Sequence, residues 1–64
     1  MPIIRVEMLS GRTREQKREL VKELTVAFNR TCGARPEDVT IVIADVEKEN
    51  WATAGKLVAD KQAG

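Results

Sequence analysis

The chain has 64 residues, with 11 Lys and Arg against 10 Asp and Glu, a net charge of +1 and 42% hydrophobic content. Mixed charge with Phe28 and Trp51 as the only aromatic residues offers neither a basic stripe for phosphates nor stacking platforms, so no nucleic-acid partner is expected. No run reaches the ~18 apolar residues of a bilayer span, and the start lacks the roughly 7 to 15 apolar residues of a signal peptide, so no membrane contact and a cytoplasmic location are expected.

Residues 1–64 read as one domain, without repeat, linker or low-complexity segment. A core this small rarely supplies more than about 3 to 5 kcal/mol. Cys32 is the only cysteine and histidine is absent, which excludes an internal disulfide and leaves a thiolate-imidazole zinc site nothing to build on. Association with other chains is the remaining source of stability.

Pro2 to Met8 carries Ile3, Ile4, Val6 and Met8 with Arg5 and Glu7 interposed, the pattern of a partly buried strand. Leu9-Ser10-Gly11-Arg12 breaks it. Thr13 followed by Gln16 is a capping box, so a helix starts at Arg14. Leu20, Val21, Leu24, Ala27, Phe28 and Thr31 recur at spacings of three and four and form one apolar stripe, while Lys17, Arg18, Lys22, Glu23 and Arg30 fall mostly elsewhere. Gly33 closes the helix. Cys32, inward by the same periodicity, reads as a small buried residue and not as a nucleophile.

After the turn from Ala34 to Asp38 comes Val39-Thr40-Ile41-Val42-Ile43-Ala44, a β-branched run typical of a strand covered on both faces. About 19 helical residues at ~1.5 Å rise give roughly 28 Å, enough to return beside the first strand and join two parallel strands by a right-handed crossover. The expected fold is α/β: a single β-α-β unit with sheets and helices completed by oligomerisation. From Glu47 the chain turns polar, and Trp51-Ala52-Thr53-Ala54-Gly55 followed by Lys56-Leu57-Val58-Ala59 reads as a loop and short hairpin reaching for a neighbour. The last four residues are expected to be loose.

Without His or Tyr, proton transfer falls to carboxylates, lysines and the chain terminus. Methionine is removed ahead of small residues, so a mature chain is expected to begin with the secondary amine of Pro2. A free α-amino group has a pKa of about 7.7 to 8.0, against about 10.4 for lysine, which makes it the amine best suited to act as a base near neutrality. Desolvation and a nearby cation would lower it further, and Arg12 and Trp51 are the candidates to do so. If Met1 stays attached, the Pro2 nitrogen is an amide without a basic lone pair.

Pro2-Ile3-Ile4, then Gly11-Arg12-Thr13 with Glu15-Gln16-Lys17 opening a helix, a Val-containing second strand, and an aromatic residue before a Gly-containing hairpin together resemble 4-oxalocrotonate tautomerase. The resemblance covers essentially the whole chain. It implies a hexamer of β-α-β units with sites shared between subunits, and a cofactor-independent, metal-free isomerase of aromatic catabolism. It further implies that Pro2 moves a proton within an unsaturated 2-hydroxy or 2-oxo acid such as 2-hydroxymuconate. Arg12 matches the family arginine that holds a substrate carboxylate, a task suited to its bidentate fork. Trp51 stands at the family's aromatic wall.

Two departures qualify the match. Thr40 occupies the position of the family's second arginine, which puts a dicarboxylate substrate in doubt and leaves Arg5, Arg35 or Lys48 of an adjacent chain, or a different subunit, to replace it. A non-catalytic or hetero-oligomeric subunit is the alternative. Ala52-Thr53-Ala54 lacks the acid with which related dehalogenases activate water, although Glu47 and Glu49 lie close in sequence.

Overall fold

The computed structural model describes residues 1–61. In chain order these form β1 (Ile3–Leu9), α1 (Arg14–Cys32), β2 (Thr40–Val46), β3 (Ala52–Thr53), β4 (Lys56–Leu57) and α2 (Val58–Lys61), with short helical turns at Pro36–Asp38 and Lys48–Asn50. β1 and β2 are parallel, with Ile3 opposite Thr40 and Leu9 opposite Val46. The ladder continues past both ends: the Thr40 amide donates to the Pro2 carbonyl at 3.0 Å, and the Ser10 amide to the Val46 carbonyl at 2.9 Å.

Local chemistry sets the helix limits. The Gln16 amide donates to Thr13 Oγ1 at 3.1 Å and the Thr13 amide to Gln16 Oε1 at 2.9 Å, completing the capping box. At the other end Gly33 takes φ 74°, a left-handed conformation that an L side chain resists, and its amide donates to the Asn29 carbonyl.

Strand alternation sorts the sheet into two faces. Ile4, Val6 and Met8 with Ile41 and Ile43 turn towards the half-buried stripe of α1, which comprises Leu20, Val21, Leu24, Ala27 and Phe28. Ile3, Arg5, Glu7, Thr40 and Val42 are exposed on the outer face, with Ile3 at 67% and Val42 at 40%. The second covering that the β2 run calls for is therefore not supplied by its own chain.

Thr31 and Cys32 depart from the periodicity, since both are exposed. The cause is length. A 19-residue helix spans roughly 28 Å, whereas seven strand residues rise only about 23 Å, so the last helical turn overhangs the sheet. Thr31 Oγ1 instead donates to the Ala27 carbonyl at 2.7 Å.

β3 and β4 are antiparallel, with Ala52 opposite Leu57 and Thr53 opposite Lys56. Ala54 and Gly55 connect them at φ 53° and 76°, as a two-residue hairpin turn requires. This hairpin packs mainly with α2 and the Lys48–Asn50 turn. Lys61 ends α2 and so departs from the expectation of four loose residues; the other three lie outside the described residues.

The chain by itself is an open structure. No described residue is fully buried, and the extents are 46 × 24 × 14 Å. Its radius of gyration is 15.1 Å, where a compact chain of this length has about 10.7 Å. Its accessible surface of 4981 Å² exceeds the roughly 4,100 Å² of a compact monomer of equal mass.

Candidate active site

Pro2 stands at the start of β1, half-buried, with its carbonyl held by the Thr40 amide. Met1 before it is 87% exposed and so accessible to an aminopeptidase. Arg12 lies in the turn beyond the other end of β1. Its guanidinium is exposed and Nη1 donates to the Leu9 carbonyl at 3.4 Å, the long limit of a hydrogen bond, which leaves most of the fork unengaged.

Two long-range contacts hold that turn. Ser10 Oγ donates to Glu47 Oε2 at 3.1 Å, tying the end of β1 to the end of β2, and Lys17 in the first turns of α1 pairs with Asp45 of β2. Neither was legible beforehand, because each joins residues far apart in sequence and depends on the strand register. Glu47, close to the hairpin in sequence, is thereby engaged at the β1 terminus. Trp51 follows from this same end of the sheet, half-buried, and its carbonyl accepts from the Val58 amide at 2.8 Å.

The three candidates are not brought together within one chain. β1 and β2 run parallel, so both start at the Pro2 end and both finish at the Arg12 and Trp51 end. The seven residues of β1 put roughly 26 Å between Pro2 and Ser10, where the turn bearing Arg12 begins. A side-chain reach of several ångströms does not close that gap. A site using both needs Pro2 from one chain and Arg12 from another.

Thr40 is exposed and uncharged, and Arg35 lies in the turn before β2 with Nε 3.0 Å and Nη2 3.5 Å from the Asp38 carboxylate. Among the described residues no group of His, Cys, Asp and Glu is arranged to hold a metal ion.

The family model described as Tautomerase enzyme matches residues 2–61. The chain belongs to the tautomerase family. It is similar to the 2-hydroxymuconate tautomerase of Bacillus subtilis, 44% identical over 97% of this chain and 100% of that protein. Among solved structures it is similar to a 4-oxalocrotonate tautomerase isozyme of Methylibium petroleiphilum, with a TM-score of 0.93, 44% identity and 97% of each chain covered. It is also similar to a heterohexamer 4-oxalocrotonate tautomerase of Chloroflexus aurantiacus, with a TM-score of 0.88, 32% identity, and 94% of this chain and 97% of that one covered. The β-α-β architecture with its C-terminal hairpin is that of these tautomerases, and the chain is an isomerase. No helix among its described residues is long and apolar enough to cross a membrane.

Proposed function

We propose that this tautomerase interconverts the enol and keto forms of an unsaturated 2-hydroxy acid of the 2-hydroxymuconate type, without a cofactor, using the Pro2 amine of a chain that has lost Met1. The observation that carries the reading is the placement of a rigid secondary amine at a strand start, next to an exposed Met1 and within a family of tautomerases. Neutral Pro2 nitrogen accepts the 2-hydroxyl proton. As the O–H bond breaks, the oxygen becomes the ketone, the C=C electrons shift outward, and the protonated amine returns the proton to carbon. From neighbouring chains, Arg12 holds the carboxylate and Trp51 keeps water from the amine.

A homo-oligomer, most simply a hexamer of 1–64 chains, is the proposed working form, in the cytoplasm and in aromatic catabolism. With Thr40 uncharged and Arg35 engaged by Asp38, neither of these two positions offers a free cation for a second carboxylate. This favours an acid with one carboxylate near the reacting carbons. The same observation supports the second reading, a non-catalytic or hetero-oligomeric subunit whose partner brings the missing cation, as the similarity to a heterohexamer allows.

The test is ketonisation of 2-hydroxymuconate and phenylenolpyruvate, followed by ultraviolet absorbance on protein whose mass shows that Met1 is gone. Turnover that Pro2→Ala abolishes while assembly survives supports the first reading. No turnover by the Met1-free homo-oligomer moves the assignment to the second.

A further inference from the structure

We infer that Glu47 is a positioning residue: its side chain fixes the turn that carries Arg12, while its backbone fixes the turn that leads to Trp51. One residue thereby sets the geometry between the two. The inference rests on the proposed function to the extent that Arg12 is the group that holds the substrate carboxylate.

The Arg12 turn has little packing of its own to define it. Gly11 takes φ 127°, and a Cβ built there would meet nothing within 4 Å. Arg12 is exposed, and its bond to the Leu9 carbonyl is at the long limit. Gly11 and Arg12 are therefore placed by what holds their flanks. On the helix side, the capping box of Thr13 and Gln16 and the pairing of Lys17 with Asp45 fix the start of α1. On the strand side, Ser10 is held at two points by consecutive residues at the end of β2. Its amide donates to the Val46 carbonyl at 2.9 Å and its Oγ to Glu47 Oε2 at 3.1 Å. The backbone bond alone leaves rotation about itself; the side-chain bond of the same residue removes it and so aims the peptide that enters Gly11.

Glu47 reaches the other binding residue through its main chain. Its carbonyl accepts from the Asn50 amide at 2.8 Å, closing the Lys48–Asn50 turn whose next residue is Trp51. Charge gives the inference a sign. Glu47 is itself an anion, tied to a residue two positions from Arg12, so its field alone opposes a substrate carboxylate and its removal should tighten binding. Positioning requires the opposite.

The experiment titrates benzoylformate, a 2-oxo acid without an α-hydrogen and so unable to enolise, into the Met1-free oligomer by calorimetry. Arg12→Ala should abolish binding. Glu47→Ala should weaken it roughly tenfold, short of the ~100-fold that a 1 Å misplacement can cost, with the mass by light scattering unchanged. Glu47→Gln lacks the charge but keeps an accepting Oε1 for Ser10, and should restore the parental affinity. Ser10→Ala removes the same bond from the other side and should match Glu47→Ala, with the double variant no weaker than either single one. Unchanged or tighter binding by Glu47→Ala, additive losses in the double variant, or Glu47→Gln as weak as Glu47→Ala would each overturn the inference. So would a parent that binds no benzoylformate, or binds it without Arg12. Turnover of phenylenolpyruvate, measured in parallel, judges the proposed function separately: an oligomer that binds through Arg12 and Glu47 yet turns nothing over refutes that function and leaves the positioning role standing.

Discussion

Val42→Asp tests whether the outer sheet face is covered in the working protein. Val42 lies at the middle of β2 on the side away from α1 and is 40% exposed in the single chain. Burying a valine fully is worth about 1.5 to 3 kcal/mol, so covering the exposed fraction adds roughly 0.6 to 1.2 kcal/mol per chain. An aspartate there loses that gain and leaves an unpaired carboxylate beneath a neighbour, at a cost of several kcal/mol. If the face stayed in water, the change would be limited to the strand preference against Asp, within about 1 kcal/mol. Val26→Asp is the matched control, on the 52%-exposed outer side of α1 and expected to shift stability by about 0.5 kcal/mol or somewhat more, since a helix interior disfavours Asp. Light scattering over a dilution series reads the assembly, and urea unfolding by circular dichroism reads stability. Val42→Asp should dissociate at concentrations where the parent and Val26→Asp remain assembled. Parental mass and a loss under about 1 kcal/mol would refute a covered outer face.

Thr13→Ala removes one half of a complete capping box and should cost about 1 kcal/mol in urea unfolding of the assembled protein, without changing its mass. Ala54→Asn places a residue tolerant of the left-handed region at φ 53° and should raise stability by several tenths of a kcal/mol to about 1 kcal/mol, read as a higher thermal midpoint. Arg12→Lys keeps the charge but loses the fork, so kcat/KM for a carboxylate substrate should fall at least ~10-fold with the oligomer unchanged.

The helix was legible nearly to the residue because its signals are local: Thr13 with Gln16 at one end and Gly33 at the other act over three or four positions. The β-α-β topology followed from two strand-like runs and a helix long enough to return, and the strand starts were placed within two residues. Cys32 was misplaced for a reason that periodicity does not contain, namely that the helix outlasts the strands beneath it. The turn at Lys48–Asn50 and α2 carry no capping pattern and take their form from packing with the hairpin. Candidate site residues were legible by type and motif. Their separation was not read from any motif; it is a property of parallel strands, which send Pro2 and Arg12 to opposite ends.

That separation ties activity to assembly in a testable way. If Pro2 and Arg12 act on one substrate from different chains, the single chain has no complete site, however well it holds its fold. Specific activity should therefore fall on dilution over the same concentration range in which light scattering reports dissociation. The linkage also runs backwards: a carboxylate ligand that contacts both chains binds only the assembly and stabilises it by RT ln(1 + [L]/Kd), about 2.7 kcal/mol at 100 times Kd. A saturating unreactive 2-oxo acid should hence move the dissociation midpoint to roughly 100-fold lower concentration, and Arg12→Ala should abolish that shift. Full specific activity in dissociated chains would place amine and carboxylate holder within one chain, against the distance that seven strand residues impose.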